Sequence, residues 1–254
     1  MDTKPNVDGD RMKKLFLSGI AVLLINGCAN LPQTPEGFNK RTVETEHFSF
    51  YTLEKENMKK GKPLRFYIEG DGNPNPKKAI AMEMAQKDTH ENIIYLARPC
   101  QFIENNVCEN KAIYTTARFH REILKEMEEL TIYFIKKYKS PTVEFIGYDG
   151  GGTIAMLLAP KIPITTQIIT VAGLLDTADK NNPNIDILNP MQQKDLTAYI
   201  PQIHYVGGKD TIAPKRTAER FVGRLKNPRS AKVKTLPSLS HDGWQNVQFN
   251  FYTD

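Results

Sequence analysis

From residue 48 onward, short apolar runs alternate with segments of helical pattern, and this alternation leaves few architectures open. Phe48 to Leu53 alternates apolar and polar residues and reads as an opening strand. Further strands are expected at Leu64–Ile68, Ile93–Leu96, Val143–Ile146, Gln167–Val171, Gln202–Val206 and Ala231–Leu236. Helices are expected between them, at Lys77–Lys87, Thr116–Lys139, Thr153–Leu158 and Ala213–Leu225, with a last one at Gly243–Tyr252. In the long one, Phe119, Ile123, Met127, Leu130, Phe134 and Tyr138 recur every three or four positions and form a single core-facing stripe. Strands that are apolar throughout belong to a mainly parallel sheet covered on both faces. The expected fold class is α/β, with one domain over residues 41–254. Ligands of such sheets gather at the carboxyl ends of the strands. The loops after Ile68, Leu96, Ile146, Val171, Val206 and Leu236 are therefore where function is to be sought.

The start of the chain has a different character. Met12-Lys13-Lys14 precedes an apolar run, Leu15 to Ile25, which fits the basic and apolar regions of a secretory signal. At about 1.5 Å per residue the run is too short to span a bilayer as a helix. It ends in Ile25-Asn26-Gly27-Cys28, which resembles a bacterial lipoprotein box. That resemblance implies a signal peptide over residues 1–27, removal before Cys28, and lipid on the Cys28 thiol. Met12 is then the natural start of the signal. Ala29 after the cysteine implies sorting to the outer membrane, facing the periplasm, and residues 28–40, with Pro32 and Pro35, read as the tether. Several acyl chains, each adding about 0.8 kcal/mol per buried methylene, anchor firmly.

Export bears on the other two cysteines, Cys100 and Cys108, which stand eight residues apart in a polar loop. In an oxidising compartment they are expected to close a disulfide. The net charge of +5 comes without a dense Lys/Arg block, so nucleic acid is not an expected partner. Neither a metal site nor a nucleotide cofactor is expected. Gly70-x-Gly72 does not complete a dinucleotide fingerprint, and the glycines after Gly147 lack a phosphate lysine.

Three strand-end loops carry chemistry. Gly147-Tyr148-Asp149-Gly150-Gly151-Gly152 joins a strand to a helix, the setting of a nucleophile elbow. Val206-Gly207-Gly208-Lys209-Asp210 ends a later strand, and Ser240-His241-Asp242-Gly243-Trp244 follows the last one. Elbow, acid and histidine come in the α/β-hydrolase order, and the chain resembles that superfamily from Phe48 to Trp244. It is most similar to exported bacterial lipoprotein hydrolases with E-G-D-G, A-R-P-C-Q, G-Y-S-G-G-G, V-A-G, V-G-G-x-D and H-D-G-W motifs. These stand here at Glu69 to Gly72, Ala97 to Gln101, Gly147 to Gly152, Val171 to Gly173, Val206 to Asp210 and His241 to Trp244. The resemblance implies a hydrolase of a small ester-like or related substrate, and the about thirty residues between Val171 and Gln202 leave room for little or no cap domain. It makes His241 the base, Asp210 its orienting acid, and the amides of Gly150 and of Asp71 or Gly72 the oxyanion hole.

The departure is Asp149, where that family has serine. A carboxylate attacking an ester would form an anhydride, so serine-esterase chemistry is not expected. A carboxylate does displace leaving groups at saturated carbon, as in the Asp-nucleophile branch of the fold, the haloalkane dehalogenases and epoxide hydrolases. The alternative is a catalytically degenerate site, with Asp149 paired to His241, that binds a ligand or envelope partner. Tyr148 and Arg98 are candidate substrate contacts, Asp176 and Asp179 alternative acids, and Glu69 with Asp71 a carboxylate pair that shapes its loop.

Overall fold

A computed structural model describes residues 33–71, 74, 76, 78–103, 106–178 and 187–249. Residues 1–32, with Cys28 and the expected signal peptide, lie outside them, as do Gly72 and Asp179. Among the described residues no helix is long and apolar enough to cross a membrane.

The strands are β1 (Phe38–Glu44), β2 (Ser49–Lys55), β3 (Leu64–Ile68), β4 (Ile93–Leu96), β5 (Val143–Tyr148), β6 (Thr165–Val171), β7 (Gln202–Gly207) and β8 (Ala231–Leu236). They form one 8-stranded sheet in the order β1-β2-β4-β3-β5-β6-β7-β8. β1 pairs with β2, and β2 with β4, antiparallel; every other pairing is parallel. The helices are α1 (Ile80–Lys87), α2 (Arg121–Tyr138), α3 (Gly150–Leu158), the single turn α4 (Pro190–Gln193) and α5 (Lys215–Gly223).

The two-residue period of a strand divides the core between the two faces. Leu64, Phe66 and Ile68 of β3 and Val143 and Phe145 of β5 pack with Ile123, Met127 and Leu130 of α2, Ile154 of α3 and Phe221 of α5. Tyr67 and Ile146 point the other way, into a second cluster with α1 and Trp244. Both faces are thus covered, which is why β3, β4 and β7 are buried at every position.

Several boundaries differ from the sequence reading by a few residues, and three differences are larger. β1 begins at Phe38, inside the expected tether. As a mostly exposed edge strand, FNKRTVE, it has no apolar alternation to announce it. The long helix starts at Arg121, because a 3-10 turn at Lys111–Tyr114, capped by the Asn110 side chain, precedes it. The last helix is a 3-10 turn, Trp244–Asn246, and at its cap Gly243 holds φ 101°. Cys100 and Cys108 are joined by a disulfide, with Cα atoms 5.5 Å apart.

Candidate active site

The site forms where β5 turns into α3. This crossing is so close that only glycine fits. A Cβ on Gly151 would lie 2.2 Å from the Ile68 carbonyl oxygen, and one on Gly147 would lie 2.2 Å from that of Gly151. The bend forces Asp149 to φ 49°, ψ −121°, a backbone strain that persists only where the surroundings hold it. The Asp149 N–H donates to the Val171 carbonyl at 2.9 Å, and its carbonyl accepts from Gly152 at 3.0 Å. The side chain is thereby pushed up at the carboxyl end of the sheet.

His241, from the loop after β8, meets it there. Nε2 lies 3.2 Å from Asp149 Oδ1, and Nδ1 lies 2.9 Å from Asp210 Oδ2. Asp210, after β7, is fixed in turn: its Oδ1 accepts the N–H groups of Ile212 and Ala213, each at 2.8 Å. The other oxygen of Asp149, Oδ2, accepts the Asp71 N–H at 3.1 Å. The Gly150 N–H, at the start of α3, also favours the charged form of this carboxylate. The carboxylate therefore bridges the imidazole and the Asp71 amide, one of the two that an oxyanion hole would offer.

Charge follows from this arrangement. Burial opposes a charged imidazole, but the hydrogen bonds and negative charges of Asp149 and Asp210 overcome it and raise His241 to about 9. Burial pushes Asp149 up, yet His241 and the two backbone N–H groups outweigh it and hold the carboxyl below its ordinary value. At neutral pH the site is a carboxylate–imidazolium–carboxylate row.

The neighbouring loops support it. Burial raises Glu69 to about 7 even though it accepts from the N–H groups of Gly70, Ala81 and Met82 and from the Tyr95 hydroxyl. It ties the hole-forming loop to the start of α1. Asp71 is held by Arg98 Nη1 at 3.0 Å and Arg118 Nε at 2.5 Å. Burial pushes its carboxyl above the ordinary value, with Arg98 opposing and Asp149 adding to the rise. Gln101, beside the disulfide, donates its amide N–H to the Gly70 carbonyl at 3.0 Å.

The expected residues Asp149, Gly150, Asp71, Asp210 and His241 come together. Tyr148 lies against them, its ring centroid 5.9 Å from that of His241 and its hydroxyl donating to the His241 carbonyl. Arg98 differs from the sequence reading. It is buried, and its guanidinium is occupied by Asp71 and the Arg118 carbonyl, so it does not present itself to a ligand at the sheet edge. Asp176 pairs with Arg220 and Asn189 instead of orienting His241. Arg118 was not singled out by sequence. Elsewhere, Glu46, His47 and Glu126 bring one potential metal-ligand atom each within 4.8 Å, but His47 Nδ1 is already bonded to Glu126, and Lys125 pairs with Glu46.

No family model and no curated protein matches the chain. Solved structures do. It is similar to Est1E from Butyrivibrio proteoclasticus, at 13% identity and a TM-score of 0.58 over 82% of this chain and 91% of that one. It is similar to the esterase Pf2001 from Pyrococcus furiosus, at 10% identity and 0.58 over 83% and 84%. A third likeness is XC6422 from Xanthomonas campestris, an α/β serine hydrolase without lid, at 9% identity and 0.55 over 82% and 87%. At such identities the likeness speaks for architecture, and by architecture the chain has the α/β-hydrolase fold.

Proposed function

We propose that this chain is a hydrolase with a carboxylate nucleophile, Asp149, acting on a small substrate at a saturated carbon that bears an oxygen leaving group, such as an epoxide. The observation that supports it is the split role of the Asp149 carboxylate, with Oδ1 on His241 at 3.2 Å and Oδ2 on the Asp71 N–H at 3.1 Å. Oδ1 attacks carbon, the carbon–oxygen bond breaks, and the His241 Nε2 proton passes to the leaving oxygen. Asp149 becomes an alkyl ester whose carbonyl, Oδ2, stays between the two amides. Its charge is gone, so His241 loses the partner that raised its pKa and becomes a base. It takes a proton from water, which adds to the Asp149 carboxyl carbon. The negative charge that develops on Oδ2 is stabilised by the Asp71 and Gly150 N–H groups. Collapse expels the product alcohol, protonated by His241, and the new carboxylic acid returns its proton to the imidazole. Asp210 holds the ring throughout.

We place this activity in the envelope, with the signal peptide over 1–27 removed and Cys28 carrying lipid on the periplasmic side of the outer membrane. The support is the Lys13-Lys14, apolar run and Cys28 pattern.

Styrene oxide supplies the test. With the native chain quenched in acid during turnover, mass spectrometry should find one probe held as an ester on the peptide bearing Asp149. With the native chain in ¹⁸O-water, label should enter the Asp149 carboxylate. Absence of both overturns the reading. One observation favours a second reading: the hole is closed on the chain's own carboxylate, which suits a site that binds without turnover. That reading predicts no adduct, and esterase activity on p-nitrophenyl acetate once Asp149→Ser reopens the hole.

A further inference from the structure

The peptide that joins Gly70 to Asp71 is held at both ends, by different partners. Its N–H, that of Asp71, donates to Asp149 Oδ2 at 3.1 Å, and its carbonyl, that of Gly70, accepts from Gln101 Nε2 at 3.0 Å. A trans peptide is planar, with N–H and C=O pointing in opposite directions. Fixing the carbonyl therefore fixes where the N–H aims. The flanking contacts do not: Glu69 Oε1 takes the Gly70 N–H at 2.9 Å, and Arg98 and Arg118 hold the Asp71 carboxylate. All of these groups lie outside the peptide unit itself, so turning that unit about its long axis need not disturb them.

Gln101 is itself firmly held. It is buried, its Oε1 accepts the Arg98 N–H at 3.0 Å, and its own N–H donates to the Arg98 carbonyl at 3.1 Å. Its neighbours on either side, Cys100 and Phe102, have φ 66° and 64°, a left-handed conformation that residues other than glycine rarely adopt. Strain of this kind persists only where the surroundings impose it. On one flank the surroundings are the bridge from Cys100 to Cys108. On the other, the Phe102 N–H donates to the Pro74 carbonyl at 2.6 Å, and its ring packs 5.1 Å from that of Tyr51. Two strained residues, each tied down, turn the side chain between them onto the Gly70 carbonyl.

We infer that Gln101 is a positioning residue that aims the Asp71 amide at the oxyanion hole, and that the Cys100–Cys108 bridge is its anchor. This rests on Asp149 marking the reacting site. The hydrogen bond at the carbonyl also polarises the peptide, which strengthens its N–H as a donor when negative charge forms on Asp149 Oδ2.

Hydrogen exchange followed by NMR on the full chain reads the Asp71 amide without turnover. Gln101→Met keeps the length of the side chain and removes the donor. The Asp71 N–H should then exchange about tenfold faster, the order of one hydrogen bond lost from a buried carbonyl. The Asp149 N–H, which donates to Val171, should keep its protection and so report an intact fold. Cys100→Ser with Cys108→Ser should move the Asp71 amide in the same direction. With styrene oxide, the Asp149 ester should form at the native rate in Gln101→Met and break down about tenfold more slowly or worse, because only breakdown places charge on Oδ2. Unchanged Asp71 exchange in either variant, equal acceleration of the Asp71 and Asp149 amides in Gln101→Met, or an ester that breaks down at the native rate overturns the inference. If styrene oxide leaves no ester on Asp149 yet the Asp71 amide loosens selectively, the nucleophile reading fails and the positioning role of Gln101 stands.

Discussion

Replacing Asp149 by asparagine removes one charge and changes the shape hardly at all, so it isolates what the carboxylate does to His241. The imidazole titrates near 9 against an ordinary 6.5, and its side chain is only 13% exposed, so solvent screens the pair weakly. At about 1.36 kcal/mol per pH unit, the gap corresponds to roughly 3 kcal/mol. The sign follows from the raised pKa: the stabilisation is full below about 6.5, declines as pH rises, and is gone above about 9. Both contributions of Asp149, hydrogen bond and charge, rank above those of Asp210. Asp149 is therefore the larger source of the upward push, and the part that depends on its charge leaves in the variant. In Asp149→Asn the His241 titration should fall by at least about one pH unit, or ~1.4 kcal/mol. Carbon-detected NMR of the imidazole Cε1 reads the titration directly. Urea denaturation at pH 6 and pH 10 reads the stability, and the difference between those pH values should shrink by about half or more in the variant. A native His241 titrating at or below 6.5, or one indifferent to Asp149→Asn, refutes the charged row and with it the acid role of His241.

Arg65 is fully buried between Asp88 and Glu144, so Arg65→Met should cost about 3–5 kcal/mol in urea denaturation by stranding two carboxylates; a loss under about 1 kcal/mol contradicts the ion-pair assignment. Gly151→Ala should cost about 3 kcal/mol or more, or prevent soluble expression, because its Cβ would overlap the Ile68 carbonyl; a native-like melting temperature refutes the close crossing. Cys100→Ser with Cys108→Ser should cost about 2–3 kcal/mol by loop-closure entropy, and a reducing agent should lower the native melting temperature to match; an unchanged melting temperature under reduction contradicts the bridge.

What the sequence discloses depends on whether a feature is local. Leu64–Ile68 and Ile93–Leu96 have the expected bounds, because strands buried in a parallel sheet are nearly continuous apolar runs between polar turns. The elbow is equally legible, since a strand-to-helix bend this tight demands glycines at fixed spacing. Edge strand β1 escapes because its side chains mostly face solvent. The last segment, expected as a helix, keeps only the turn Trp244–Asn246, and Trp244, Val247 and Phe249 pack on the second core cluster. Arg118 carries no local signal at all. Its importance arises where the loops after β3 and β4 and the approach to α2 converge, a meeting of residues 71, 98 and 118 that no window of sequence contains.

At the elbow, the length of an aspartate lets one side chain meet two groups at once. Aspartate carries two oxygens on one planar carbon, and the elbow already aims that position between an imidazole and a pair of amides. One oxygen lands on His241 and the other on the Asp71 N–H, the two places a reacting oxygen and an oxyanion would occupy in turn. The carboxylate thus fills in a single resting group what serine chemistry fills only in its transition state. On the proposed reading, attack on an acyl carbon is disfavoured, because the Asp71 amide is taken by the carboxylate itself. Attack on a saturated carbon needs no such amide, and the ester it forms presents its own carbonyl to the hole. On this reading, Asp149 directs the site to a different bond from the one a serine would cleave, with Asp210, His241 and the Asp71 amide arranged around it.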